Sequence, residues 1–543
     1  MVFARRSTTL LAAIIASCAM VLSLTACTSD NKTVVDGQTT VTSNSAGGVA
    51  VFTPSDGITL NQQTPLNKWA KLVPDLTKAL VDAGFKKGDI NHTTSDSLAK
   101  QSRAIQDFVV DHLSNNTTDD SGIAIAPDNM TLLVAPVVEA DASTRQYGDY
   151  ISQNLSTNDA TDGEATSDGE SSEDDSSKDD SSNTESDSTA SDEQAQAVDR
   201  LVSSLKLAKE SGMHVVLLGN SIEGYKPDAF VKFSDAQTIG KLQAEKMVSK
   251  LKLDKASKDN PKYIEVLLPY TAVDEKGNAN DSTFAQEAFR GIWQVLGSYY
   301  QKGVVESPSG TLDGKSTEND WQAVAYDAAK EGSTAKVLDK RLAKTDGQST
   351  LTRIDGIITM NDYIASEVVK ELDDLGYTGS AADINPQITI SGIVGNITGK
   401  KDLSRDAVPD PIKSPENDNA NDSSSSDDDA DEDTSASDKD RDSQWPLVTG
   451  YGAYVSNIPS IVNGKQWMTG MEDRQTIATD IAQACAKLNK DEALNSMPSI
   501  RNSEVGGVKK IPTISEPLLA VSASNLKSAL IDPGYISLAD AGL

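Results

Sequence analysis

Three cysteines, three histidines and 81 carboxylates carry the reactive groups of this 543-residue chain. Cys18 lies in an apolar run from Leu10 to Leu22, Cys27 closes the stretch Leu24-Thr25-Ala26-Cys27, and Cys485 stands alone in a helical pattern. One thiol in the body of the chain cannot form an internal disulfide, and its apolar setting marks Cys485 as a core residue rather than a nucleophile. His92, His112 and His214 show no metal-ligand spacing. There is no Gly-x-Ser-x-Gly elbow, no His-Glu-x-x-His and no phosphate loop. Carboxylates such as Asp141 and Asp274 lack the paired context that glycoside hydrolysis uses. The chain is therefore not expected to be an enzyme or to carry a cofactor or metal. The chemistry left to it is non-covalent recognition by polar and aromatic side chains, such as Trp69 and the pair Asn361-Asp362 after an apolar run.

The amino-terminal stretch predicts where that recognition takes place. Arg5 and Arg6 precede the apolar run, and polar Thr28-Ser29-Asp30 follows Cys27. A basic start, a short apolar core and small residues before a cleavage point mark a secretory signal. The run is shorter than the ~20 residues a membrane span needs. Leu24-Thr25-Ala26-Cys27 resembles a bacterial lipobox. That resemblance implies removal of residues 1–26, a diacylglyceryl thioether on Cys27 and usually an acyl group, such as palmitate, on the new amino terminus. The mature chain would be lipid-anchored to the outer face of the cytoplasmic membrane. Residues 27–47, rich in Ser, Thr, Asn and Gly, are expected to form a flexible tether.

The net charge of −32 is concentrated. Asp159 to Glu193 holds 14 acids against one lysine, and Asp410 to Asp442 holds 13 acids against three bases. These tracts account for −23, so the rest of the chain is mildly acidic. No basic patch exists to neutralise phosphates, which excludes nucleic acid as a partner. The tracts, about 155–195 and 408–443, are too poor in apolar residues to repay ordering entropy and are expected to be disordered insertions. Neither holds an Asp-x-Asp-x-Asp-Gly calcium loop.

Outside the tracts, strand and helix patterns alternate. Val49–Thr53, Met130–Val138, His214–Leu218, Phe230–Phe233, Tyr263–Leu268 and Gly356–Met360 are apolar runs suited to buried strands. Helical periodicity fills Lys68–Gly84, with Pro74 expected in its first turn, and recurs over Ser97–Leu113, Ala195–Glu210, Ala236–Leu251, Ser282–Tyr300, Tyr363–Leu375 and Thr476–Leu488. Such alternation predicts parallel sheets covered by helices on both faces, in two doubly wound lobes. Ligands of such sheets bind outside the carboxyl ends of the strands, and two facing lobes make a cleft that closes by hinging.

Several pieces, in order, carry a family resemblance. They are Lys68-Trp69, Gln101–Ile105, Leu133-Val134-Ala135-Pro136, Ala208–Val216, Phe233-Ser234-Asp235 running into Ile239–Gln243, Asp355–Asp362, Val448-Thr449-Gly450 and Gly464–Thr469. Pro517–Val521, Ser524–Lys527 and Gly534-Tyr535 continue the series. The body resembles the type I periplasmic sugar-binding proteins, in the xylose and multiple-sugar branch of ABC-transporter solute-binding lipoproteins. The resemblance implies an α/β fold of two doubly wound parallel-sheet lobes joined by a hinge. The amino-terminal lobe would comprise 48–232 and 470–543, and the carboxyl-terminal lobe 233–469. A carbohydrate would lie between them for delivery to a permease. Carried over by position, the ligand-binding candidates are Trp69, Asn220, Asp235, Asn280, Asp281, Asn361, Asp362, Tyr451 and Gln466. Asn220-Ser221 replaces the family's Asp-Arg, and Tyr451-Gly452 replaces its Gln-Asp. Residues 390–394 compete with 447–450 for one family strand; the second is preferred because the expected helix and Gly-Lys-Gln follow it.

Overall fold

The computed structural model describes residues 32–35, 38–41, 46–55, 65–115, 126–138, 144–157, 184–273, 280–328, 330–343, 351–382 and 445–543. Cys27, Asp141, Asp274, residues 387–394 and the second acidic tract lie outside them. Residues 1–45 and 46–543 form separate units. In the first, β1 (Lys32–Val35) pairs antiparallel with β2 (Gln38–Val41) across a two-residue spacer, Asp36-Gly37. Two short strands thus lie within the stretch 27–47, expected to be a flexible tether; Asp-Gly between Thr- and Val-rich segments is a strong hairpin signal.

The second unit contains two large sheets between which the chain crosses three times. The first pass builds β3 (Gly48–Pro54), α1 (Trp69–Asp82), β4 (Ile90–Ser95), α2 (Leu98–Asn115), β5 (Met130–Val134) and β6 (Asn154–Leu155). It continues with α3 (Thr184–Glu210), β7 (His214–Leu218), β8 (Ser221–Ile222) and β9 (Ala229–Lys232). The chain then enters the second lobe through α4 (Ala236–Leu251), β10 (Lys262–Val266), β11 (Leu268–Pro269), α5 (Thr283–Gln301), β12 (Val305–Glu306), α6 (Trp321–Val324) and β13 (Ala325–Tyr326). α7 (Ser333–Arg341), β14 (Gly356–Ile358), α8 (Asp362–Asp374), β15 (Leu447–Tyr451), α9 (Ile458–Val462) and β16 (Met468–Met471) complete it. α10 (Arg474–Leu488), β17 (Ile500–Val505) and β18 (Val508–Ser515) return to the first lobe, and β19 (Leu519–Ser522) crosses back to the second.

The first sheet runs β17-β18-β9-β7-β5-β3-β4, parallel except at the β17–β18 hairpin; the second runs β12-β10-β14-β15-β16-β19, parallel except at β19. Successive residues of the first sheet face opposite cores. Val49, Val51, Leu133 and Val216 pack with α1 and α10, whereas Ala50, Phe52, Leu132 and Val215 pack with α2 and α3. Burial on both faces is why these strands read as continuous apolar runs. In the second lobe, Ile264 and Ile358 pack with α4 and α5, and Ile357 and Val448 pack with α7 and α8. Cys485 is fully buried in α10, and burial pushes its thiol pKa up.

Three expectations need correction, and one element was not anticipated. The tail 470–543 does not belong wholly to the first lobe, because Leu519–Ser522 pairs with Met468–Met471. The β17–β18 hairpin was not anticipated; its turn, Gly506-Gly507, has φ of +54° and +78°, and a Cβ on Gly506 would meet the Ile222 carbonyl at 2.3 Å. The first acidic tract does not extend over all of 155–195. Leu155 pairs with Ile222, and α3 begins at Thr184, as helix propagation beyond a packed segment is cheap. Finally, Pro74 is the sixth residue of α1, beyond its first turn, where it removes one i→i−4 donor.

Candidate functional site

The strands of both sheets end at one cleft. From the first lobe come the Pro65–Lys68 approach to α1, Asn220 after β7, and Phe233-Ser234 after β9. From the second come Asn361 after β14 and Tyr451 and Tyr454 at the end of β15. The crossings tie the two together. Ser234 N donates to Glu472 Oε1 at 2.6 Å, and the Ser234 and Tyr451 hydroxyls share a 2.5 Å hydrogen bond. Asn67 Nδ2 donates to the Tyr451 hydroxyl at 3.0 Å, and Leu66 N to Gly452 O at 2.8 Å. Burial pushes the Glu472 carboxyl up to about 7, against the opposing pull of the Ser234 donors, and holds the Tyr451 hydroxyl protonated.

The chain's own segment 144–155 lies in this cleft. On the first-lobe side, Asp149 N donates to Asn67 O at 2.8 Å. The Asp149 carboxylate takes Lys68 Nζ at 2.6 Å and Trp69 N at 3.1 Å, so it caps α1, whose own N-cap Lys68 makes no capping bond. Tyr150 donates its hydroxyl to Lys68 O at 2.6 Å and stacks on Phe233 at 4.7 Å. On the second-lobe side, Asn361 Nδ2 donates to Gln146 Oε1 at 3.0 Å and the Tyr454 hydroxyl to Gln146 O at 2.6 Å. The Tyr147 ring lies 4.7 Å from Phe284 and 6.3 Å from Tyr451. Beside the segment remains a cavity of ≈ 510 Å³, lined in part by Thr144, Gln153, Asp235, Asp281, Phe284 and Glu287.

The sequence candidates fall into three groups. Trp69, Asn220, Asn361 and Tyr451 meet in the cleft. Trp69 is covered by Tyr150 and Phe233, edge-on at 5.1 and 5.7 Å. Asn220 is engaged on both sides, accepting from Gln153 N at 2.9 Å and donating to Pro136 O at 2.9 Å. Asn361 also caps α8, accepting from Ile364 N at 2.9 Å.

Asp362 and Gln466 form a second group, buried behind the rim. The Asp362 carboxylate accepts from Gln466 Nε2 at 2.7 Å, Thr469 Oγ1 at 2.8 Å and Tyr454 N at 2.9 Å. Burial pushes its pKa up to about 6 despite these donors. Gln466 Oε1 accepts from Asn457 Nδ2 at 2.8 Å. Both side chains are fully buried and engaged with the lobe itself, so they support the rim rather than face the cleft.

Asp235, Asn280 and Asp281 form the third group. Asp235 caps α4 through Thr238 N at 2.7 Å and pairs with Lys232 at 2.8 Å. The Thr283 hydroxyl and backbone N–H hold the Asp281 carboxyl below its ordinary value. Asp235 and Asp281 line the cavity. Asn280 is engaged in its loop, donating to Thr271 O at 2.8 Å.

Gln146, Tyr147, Tyr150, Asn67, Tyr454 and Glu472 were not singled out from the sequence. The available signal was Tyr147-Gly148-Asp149-Tyr150, two aromatics in a polar stretch. Among the described residues, no three His, Cys, Asp or Glu side chains are gathered as for a metal, and no helix is long and apolar enough to cross a membrane.

No family model matches this chain, and no curated protein is similar to it. Among solved structures it is similar to an ABC transporter solute-binding protein from Clostridium phytofermentans with bound β-D-glucose. The identity is 16%, the TM-score 0.44, and the match covers 91% of this chain and 99% of that one. A carbohydrate transporter solute-binding protein from Chloroflexus aurantiacus, in complex with D-glucose, matches at 18% identity and a TM-score of 0.41, over 91% and 98% of the two chains. An arabinose-binding protein from Geobacillus stearothermophilus matches at 10% and 0.41, over 89% and 99%.

Proposed function

We propose that this chain is an extracytoplasmic solute-binding lipoprotein, anchored through Cys27. In this reading it takes a carbohydrate in the cleft between its lobes and passes it to an ABC transporter permease. One observation carries the reading: the strand ends of two doubly wound sheets meet at a cleft whose rim offers neutral amides and hydroxyls beside aromatic rings. Asn67, Asn361, Tyr451 and Tyr454 supply the polar groups, and Phe284 and Phe233 the rings. Neutral donors and acceptors suit a hydroxyl-rich solute, and ring faces suit its apolar C–H surface. The lipobox-like Leu24-Thr25-Ala26-Cys27 supports the location and the anchor.

A second reading, a surface receptor or sensor that does not transport, is favoured by the engagement of Asn361 and Tyr454 with Gln146. Thermal unfolding against a panel of mono- and oligosaccharides tests the first. A ligand at 100 times its Kd adds about 2.7 kcal/mol of stability. At least one neutral sugar is expected to raise Tm, and silence across the panel with folded protein would contradict carbohydrate binding.

A further inference from the structure

We propose that residues 144–155 are a built-in latch. The first lobe carries this segment, which holds the cleft shut by taking, through Gln146 and Tyr147, the groups of the second lobe that a cleft ligand would use. The inference rests on the cleft being the ligand site, but its physical content is an asymmetry independent of any ligand.

The segment is fastened to the first lobe by backbone. Asp149 N bonds Asn67 O, Ser221 N bonds Gln153 O at 2.9 Å, and Asn154-Leu155 pairs in parallel with Ser221-Ile222. The Asp149–Lys68 ion pair and the Tyr150 stack add to this. Gly148, with φ of +99°, lets the segment lie directly on the approach to α1; a Cβ there would stand 2.5 Å from Asn67 O.

The fastening to the second lobe is narrower. Among the described residues it includes two hydrogen bonds at Gln146 and the insertion of Tyr147 and Ile151 into the core cluster of that lobe. The Tyr147 hydroxyl is fully buried there, beside Asn361. Separation of the lobes therefore releases Gln146 and Tyr147 first, while Asp149, Tyr150 and Gln153 remain on the first lobe. A solute entering the cleft competes with Gln146 for Asn361 Nδ2 and the Tyr454 hydroxyl.

Hydroxyl-radical footprinting of the full chain, read by mass spectrometry, tests this without a ligand. In the wild type, buried Tyr147 and Tyr150 should be protected and half-buried Phe284 only weakly reactive. In Gln146→Ala, the oxidation rates of Tyr147 and Phe284 should rise at least threefold, with Tyr150 unchanged. Tyr454→Phe removes one donor from the second lobe without touching the segment and should give the same pattern, which separates unlatching from local misfolding of the variant segment. Two results would overturn the proposal: Tyr147 and Phe284 keeping their wild-type oxidation rates in both variants, or Tyr150 becoming reactive together with them. Absence of sugar binding would bear on the proposed function and leave the footprint prediction standing.

Discussion

Asp362→Ala is expected to lower the unfolding free energy by roughly 3–5 kcal/mol, the largest loss foreseen for any single cleft candidate. The carboxylate holds three donors at 2.7–2.9 Å, from Gln466, Thr469 and Tyr454. Each belongs to a different piece of the second lobe: the approach to β16, β16 itself, and the connection after β15. Alanine leaves those donors buried around a void. Gln466 Nε2 keeps a bond to Met468 O at 3.1 Å, which limits part of the loss. Asp362→Asn keeps the volume and one acceptor oxygen and should lose less. The rim groups Asn361 and Tyr454 flank this network in sequence and space, so the alanine variant should also weaken ligand binding in the cleft. Urea denaturation measures the loss; a change below about 1 kcal/mol would show that the network is not structural.

Stability should fall as pH rises from about 4 to 7, the reverse of ordinary carboxylate behaviour. Burial holds Asp362 up to about 6 and Glu472 up to about 7 in the folded chain, whereas unfolded they return to ordinary carboxylate values. Between those limits the folded state binds more protons than the unfolded state, so the slope of stability against pH is negative. The contribution is fully present below the unfolded pKa values and is lost as pH passes the folded ones. Each group accounts for roughly 3 kcal/mol across that window. Below pH 4 the trend reverses, because Asp235 and Asp281, held below their ordinary values, lose their charges and their partners. Calorimetry of the wild type should give a Tm maximum near pH 4. Glu472→Gln, which keeps an acceptor for Ser234 N, should flatten the fall between pH 5 and 7. A wild-type Tm that rises over that interval would contradict the burial account.

The elements most legible in the sequence were those with one dominant local cause. α4 begins and ends where its period and the Asp235 cap place it, and β5 and β7 were plain because both faces are covered. The β17–β18 and β1–β2 hairpins were missed although Gly506-Gly507 and Asp36-Gly37 announce them, because mixed polarity in the flanking strands hid the period. At the site, Asn361 was legible as a polar group at a strand end. Its partner was not, since Gln146 lies 215 residues away and no local pattern encodes that meeting. Asp362 looked like a neighbouring ligand group; only the tertiary placement of Thr469, Gln466 and Tyr454 turns it inward as a support.

The central claim is that the cleft at the two sets of strand ends takes a neutral hydroxyl-rich solute. Calorimetric titration of the full chain with D-glucose, L-arabinose and myo-inositol tests it most directly when run beside Asn361→Ser. Serine keeps the cap on α8 but removes the amide donor from the cleft. The account predicts saturable binding of at least one of these compounds to the wild type, weakened at least tenfold in the variant. Equal affinity in both proteins, or no binding to a wild type that unfolds cooperatively, would contradict it.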